Sequence, residues 1–120
     1  MNQEMAFDKK VLYATAGQTI EIILNNVDQM PHNLVVIRPG SLTAFGKMVD
    51  SFVTNPEAAK SGYVPKSRYV LGATEMIESG NKGSILFKIP DQPGRYPYVC
   101  TFPGHWTMMQ GEIIVTAPGT

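Results

Sequence analysis

The stretch that decides the fold is RYPYVCTFPGHWTMMQGEIIVTA, residues 95–117. It begins with RYPYVC (95–100), in which both tyrosines and Cys100 fall on one face of a predicted strand, because side chains alternate across a strand. It ends with GEIIVTA (111–117), whose β-branched residues predict a second strand. Pro103-Gly104 turns the chain between them. The stretch therefore predicts two strands joined by a loop that begins at the only cysteine of the chain.

The remaining sequence contains further short strands of the same kind. Segments rich in β-branched and aromatic residues are separated by Gly, Pro and Asn turn signals. Each such strand has one apolar face to bury against a second sheet, so the pattern predicts an all-β sandwich or barrel. The predicted strands are residues 11–17, 18–26, 32–37, 84–89, 95–100 and 111–117.

One segment, residues 41–62, has a different periodicity. Its apolar residues recur at helical spacing, and Pro56 followed by EAAK predicts a second short helical turn. We interpret the segment as a short helical flap, inserted between strands and packed over one edge of the sandwich, with its apolar residues in the core. Those residues are Leu42, Phe45, Met48, Val49 and Phe52.

Length and charge narrow the classes of function. The 120 residues suffice for a single domain, 1–120, with an ordinary core. Ten basic and ten acidic side chains balance, which argues against a nucleic-acid surface or a polybasic membrane patch. No apolar run approaches ~18 residues, so no membrane-spanning helix is expected. The segment MNQEMAFDKK (1–10) lacks the apolar core of a secretion signal.

The loop after Cys100 groups side chains that bind metals. Four residues separate Cys100 from His105 and three separate His105 from Met109, so one loop can direct a thiolate, an imidazole and a thioether at one point. His32, the only other histidine, follows Pro31 at the start of a predicted strand. Two histidines, one cysteine and a weak axial methionine form a ligand set that suits copper.

Each of these residues also has an ordinary structural interpretation. A single buried cysteine is often an inert hydrophobe, a single histidine is often a hydrogen-bonded structural residue, and Met108 and Met109 could both fill a core. Met108 also competes with Met109 for the axial position. An enzyme with Cys100 as nucleophile and a histidine as base is a further alternative. The grouping of the only cysteine with both histidines in an all-β pattern favours a metal site.

Four segments of the chain resemble the cupredoxin family, and azurin within it. CTFPGH (100–105), followed by M-x-G at 109–111, is similar to the azurin copper loop in sequence and spacing. MPHN (30–33) resembles the segment that carries the first histidine of azurin. AGQTIEIILNN (16–26) and TEMIESGNKGSILFKI (74–89) resemble two further azurin segments.

The resemblance implies a Greek-key β-sandwich that holds one copper ion, Cu(I) or Cu(II). It implies that His32, Cys100 and His105 are the strong equatorial ligands and that Met109 is the weak axial ligand. Met109 is preferred to Met108 because it stands two residues before a glycine, as the axial methionine of the family does.

The resemblance also implies the surroundings of the ligands. Backbone N–H groups of Asn33 and Phe102 are expected to donate to the Cys100 sulfur, and the Asn33 side chain is expected to bridge to Thr101. A dry core is expected around them, formed by Phe7, Leu86, Tyr98 and Phe102.

The function implied by the resemblance is blue copper electron transfer rather than enzyme catalysis, because four protein ligands leave no open position for a substrate. Expected partners are redox proteins, such as c-type cytochromes or copper/heme oxidoreductases, which would dock at an apolar patch around the exposed edge of His105. Family habit places such proteins in the periplasm. Two alternatives stay open: an electron-relay copper domain of a larger redox enzyme, and a copper storage or delivery protein. The expected docking patch around His105 is formed by Pro31, Pro103, Trp106 and Met108.

Overall fold

The computed structural model describes residues 10–27 and 29–118, so the predicted core position Phe7 lies outside the described residues. The secondary structure is mainly β, as predicted, with one α-helix and one 3-10 turn in the flap. The strands are β1 (Val11–Thr15), β2 (Thr19–Asn25), β3 (Val35–Ile37), β4 (Val70–Ala73), β5 (Lys82–Lys88), β6 (Gly94–Val99) and β7 (Gln110–Thr116), the helix is α1 (Leu42–Phe52), and the 3-10 turn is Ala59–Ser61.

The strands form two sheets that pack face to face. The larger sheet has the order β1-β7-β6-β3-β4, in which β1 runs parallel to β7 and the other pairs are antiparallel. The smaller sheet is the antiparallel pair β2-β5. Their inner faces share one core, which contains Leu24 and Phe87 from the small sheet and Val36, Tyr98 and Ile113 from the large one. The all-β cupredoxin-like sandwich is thereby confirmed.

A second core lies on the opposite face of the large sheet. Strand alternation sends Val99 to that face, whereas Tyr98 and Cys100 point between the sheets. There Val99 packs against Phe45 and Val49 of α1, which are both buried. The predicted helical flap is therefore present, and it covers the end of β6 from the outside.

The structure differs from the sequence-based predictions at Leu86 and at strand β4. Leu86, expected in the core, is 77% exposed, because it points outward opposite Glu21 while its neighbours Ile85 and Phe87 point inward. Strand β4 was not predicted at all. It is only four residues long and half-buried throughout, so it has neither the length nor the alternation of a typical strand.

No helix within residues 10–27 and 29–118 combines the length and the apolar character that crossing a bilayer requires.

Candidate metal centre

Cys100 follows directly after the last residue of β6 and is completely buried. Its side chain belongs to the core between the two sheets, together with Tyr96 and Tyr98, as the alternation of RYPYVC predicts. The backbone N–H of Cys100 donates to the carbonyl of Met109 at 3.1 Å, which closes the loop on itself. The thiol is thus fixed at the point where the loop leaves the sheet.

His32 is fixed by hydrogen bonds that the sequence pattern does not predict. It forms an isolated β-bridge with Ile77, through N–H to carbonyl bonds of 3.0 and 2.7 Å. The buried side chain of Asn26 donates to the carbonyls of Ile77 and Met30, at 2.9 and 2.8 Å. Asn26 therefore ties the strand end before His32 to the bridge that holds it. The only sequence signal was the Asn-Asn pair that ends the predicted strand 18–26.

His105 and Met109 lie on one tight turn of the same loop. The His105 N–H donates to the Phe102 carbonyl at 3.0 Å, and the His105 carbonyl accepts from the Met109 N–H at 2.8 Å. Met109 is completely buried in the core that contains Cys100, whereas Met108 is 53% exposed. The structure thus directs Met109 inward and Met108 to the surface, in the orientation that the ligand assignment requires.

Three buried donor atoms converge at this place. Their ligand atoms, from His32, Cys100 and His105, all lie within 4.8 Å of one another. The Cys100 Sγ lies 3.7 Å from His32 Nδ1 and 3.8 Å from His105 Nδ1. Metal bonds of about 2.0 Å to nitrogen and about 2.3 Å to sulfur, meeting at a tetrahedral angle, would separate such atoms by about 3.5 Å. The donor spacing therefore fits a single metal ion.

The electrostatics around Cys100 favour a neutral thiol when no metal is bound. Burial raises the pKa of Cys100 to about 11, and the backbone N–H groups of Asn33 and Phe102, which hydrogen-bond to the sulfur, partly oppose this rise. Both N–H contacts were predicted and are confirmed. Metal binding must therefore displace the thiol proton, after which the two N–H groups stabilise the thiolate.

The side chain of Asn33 joins the two segments that carry the ligands, as predicted. Its Nδ2 donates to Thr101 Oγ1 at 2.8 Å, and its Oδ1 accepts from the Thr101 backbone N–H at 2.8 Å. The same Nδ2 lies 3.3 Å from the carbonyl of Gly62, at the end of the flap. Asn33 and Thr101 are both completely buried, so these bonds are shielded from water.

The surface above His105 differs in one respect from the expectation. His105 itself is only 3% exposed, so its edge is not the accessible surface that the resemblance suggested. Met108 and Met30, in contrast, are exposed, and Pro31, Pro103 and Trp106 are half-buried. The exposed apolar side chains in the two segments that carry the histidines are thus Met30 and Met108, and not the His105 ring.

Comparison with known proteins agrees with this geometry. Residues 1–116 match the sequence model of the copper-binding proteins of the plastocyanin/azurin family. The chain is 33% identical to auracyanin-A of Chloroflexus aurantiacus over 94% of its own length and 68% of the relative's, and 26% identical to azurin of Alcaligenes faecalis over 93% and 91%. The chain is also 29% identical to outer membrane protein H.8 of Neisseria meningitidis, and it covers 62% of the length of that protein. It covers 48% of auracyanin-B.

The solved structures agree with these sequence relatives. The solved structure of auracyanin A, described as a "blue" copper protein, superimposes with a TM-score of 0.83 over 95% of this chain and 91% of that one, at 29% identity. The cupredoxin resemblance is thus confirmed, with auracyanins beside azurins among the relatives. The chain belongs to the plastocyanin/azurin family of copper-binding proteins.

Proposed function

We propose that the chain is a blue copper electron-transfer domain, in which His32, Cys100, His105 and Met109 hold one copper ion. The observation that carries the proposal is the convergence of three buried donor atoms within 4.8 Å, with the thioether-bearing Met109 buried in the same core. Zinc accepts the same nitrogen and thiolate donors, whereas a thioether completes the softer set that copper prefers.

The burial of the ligands supports electron transfer rather than catalysis. His32 and Cys100 are fully covered and His105 nearly so, which leaves no open position where a substrate could bind. Copper in such a site supplies a one-electron couple between Cu(I) and Cu(II). The protein contributes rigidity, since the β-bridge at His32 and the loop bonds at Cys100 and Met109 hold the donors in one arrangement.

We further propose that redox proteins, such as c-type cytochromes or copper/heme oxidoreductases, dock at the apolar surface around His105. Exposed Met30 and Met108 support this choice, because exposed apolar side chains mark interaction sites and redox encounters bury little surface. A periplasmic location is proposed as well, on the basis of the family, and one relative is named as an outer membrane protein, which also lies outside the inner membrane.

Residues 1–120 are proposed to form one domain, and a larger parent protein is the second candidate. The chain spans only about half of auracyanin-B, so relatives of this domain carry additional sequence. An electron-relay domain of a longer redox protein would use the same four ligands. A storage or delivery protein is less well supported, because exchangeable copper requires accessible ligands and these are buried.

Absorption spectroscopy tests the proposal. Copper(II) added to the metal-free protein should produce an intense visible thiolate-to-copper band that a reductant bleaches reversibly. The variant Cys100→Ser should lack the band while keeping its far-ultraviolet circular dichroism. Correctly folded wild-type protein without this band would show that the site is not a blue copper centre.

A further inference from the structure

Trp106 follows His105 directly, yet its side chain turns away from the ligands toward the flap. Its ring packs against the core between the large sheet and α1, the core that contains Phe45, Val49 and Val99. The indole Nε1 donates to Asp50 Oδ1, on α1, at 2.9 Å. The only tryptophan of the chain thus connects the metal-binding loop to the helix.

Gly46 provides the space for this contact. It lies in the interior of α1, where glycine is less favourable than alanine. A Cβ at this position would overlap the Trp106 ring atoms Cη2 and Cζ2 and lie 2.6 Å from Cε2. Gly46 and Asp50 are four residues apart, so both face the indole from adjacent turns of one helix face. The glycine allows close approach and the aspartate fixes the orientation of the ring.

The contact continues to both ends of the ligand loop. Val99, in the same core as the indole, precedes Cys100. The carbonyl of Trp106 accepts a bond of 3.2 Å from Gln110 Nε2, at the start of β7. Trp106 is therefore held at its side chain and at its backbone, one peptide unit from His105.

We propose that Trp106, packed on Gly46 and hydrogen-bonded to Asp50, is a positioning residue that fixes His105 relative to Cys100. The proposal rests on the proposed function, and it assigns to α1 a role in holding the copper geometry. A helix outside the sandwich thereby restrains a ligand inside it. Restraint of this kind keeps the site in one arrangement for both oxidation states.

The contact itself is tested on metal-free protein by a double-mutant cycle. Gly46→Ala should lower the urea midpoint of the wild type, because the new methyl group displaces the indole. In the Trp106→Leu background, Gly46→Ala should raise the midpoint, since only the better helix propensity of alanine remains. The same sign in both backgrounds would overturn the proposal.

The positioning role is tested on copper-loaded protein by the electron self-exchange rate and the Cu(II) electron paramagnetic resonance spectrum. Gly46→Ala should slow self-exchange, because a histidine that is held less firmly rearranges more with each electron, and it should change the copper hyperfine splitting. The matched control Lys47→Ala, at an exposed position of the same helix, should leave both unchanged.

A second pair of variants separates the hydrogen bond from the charge. Asp50→Ala removes the acceptor of the indole N–H, whereas Asp50→Asn removes the same charge but keeps an acceptor oxygen. Asp50→Ala should slow self-exchange and Asp50→Asn should match the wild type. An intact blue band with wild-type self-exchange in Gly46→Ala and Asp50→Ala would overturn the positioning role alone. Wild-type protein without the band would overturn the proposed function itself.

Discussion

At the scale of single residues, the site depends on polar side chains that hold ligands without binding metal. Asn26 fixes the bridge beside His32, and Asn33 joins the histidine segment to Thr101. Both asparagines are completely buried. Buried amides with satisfied hydrogen bonds define one geometry, because any shift leaves a donor or acceptor unpaired.

Replacement of Asn33 should therefore be costly. Asn33→Ala leaves the buried Thr101 N–H without its acceptor and should reduce the free energy of unfolding by about 2 to 3 kcal/mol. Thr101→Val removes only the hydroxyl, while Asn33 Nδ2 keeps the Gly62 carbonyl in reach, so a loss of about 1 kcal/mol is expected. Urea unfolding of the metal-free variants measures both. Equal losses would contradict this account of the amide.

The two adjacent methionines provide a matched pair. Met109→Leu keeps the core volume, so the free energy of unfolding should change by less than about 1.5 kcal/mol. Its reduction potential should rise, because loss of the weak thioether donor disfavours the oxidised metal. Met108→Leu, at the exposed neighbour, should leave the potential unchanged. Voltammetry measures the reduction potential of both variants. A change of potential confined to Met108→Leu would assign the axial position to Met108 instead.

At the scale of elements, the residue that directly follows the flap contacts the ligand loop and has a strained backbone. Tyr63 has φ of +63°, unusual for a residue with a side chain. Its ring meets Phe102 edge-on, with centroids 5.6 Å apart, and Phe102 in turn lies 4.8 Å from the His105 ring. The left-handed backbone is thus the conformation that directs this ring toward the ligand loop.

Substitutions at Tyr63 should separate the cost of its left-handed backbone from the contribution of its ring contact with Phe102. Tyr63→Gly and Tyr63→Ala both lose the ring, but only alanine keeps the left-handed penalty. Tyr63→Gly should therefore be more stable than Tyr63→Ala by about 1 kcal/mol. At Ser61, in the preceding 3-10 turn, the order should reverse, with alanine the more stable. Thermal unfolding of the four variants checks this, and the same order at both positions would argue against backbone strain.

The elements also show how far sequence reasoning reaches. The ligand loop is predictable because Cys100, His105 and Met109 lie close together in the chain, and α1 is predictable from its apolar stripe. Leu86 is not, since Ile85, Leu86 and Phe87 are all apolar and only the pairing with Glu21 shows which one points outward. The packing of Trp106 on Gly46 joins residues 60 positions apart, and no local pattern in the sequence records it.

At the scale of the whole molecule, charge is balanced, and two methionines in the segments that carry the histidines, Met30 and Met108, are exposed. Ten basic and ten acidic residues leave a formal net charge of zero. Long-range electrostatic steering therefore contributes little when two copies meet. Encounter should instead depend on contact between apolar surfaces.

Self-exchange of the copper-loaded protein should consequently depend weakly on salt. Between ~0.01 M and ~1 M salt, where the screening length falls from ~30 to ~3 Å, the rate should change by less than about threefold. Met108→Lys places a positive charge on the apolar surface, so its self-exchange should be slower at low salt and recover as salt rises. Nuclear magnetic resonance line broadening measures these rates. A steep dependence in the wild type would indicate a charged contact surface.

The separation of the donors along the chain has a consequence for folding. Cys100 and His105 are 5 residues apart, whereas Cys100 and His32 are 68 apart. An unfolded chain can therefore offer the thiolate and one imidazole to a metal, but it gains the second imidazole only when β3, which follows His32, pairs with β6, which ends just before Cys100. The visible absorption of the copper-bound protein should thus report the moment at which the complete ligand set forms during folding. During refolding with copper present, the blue band of the folded protein should appear only when the segments that carry His32 and Cys100 meet in the sheet.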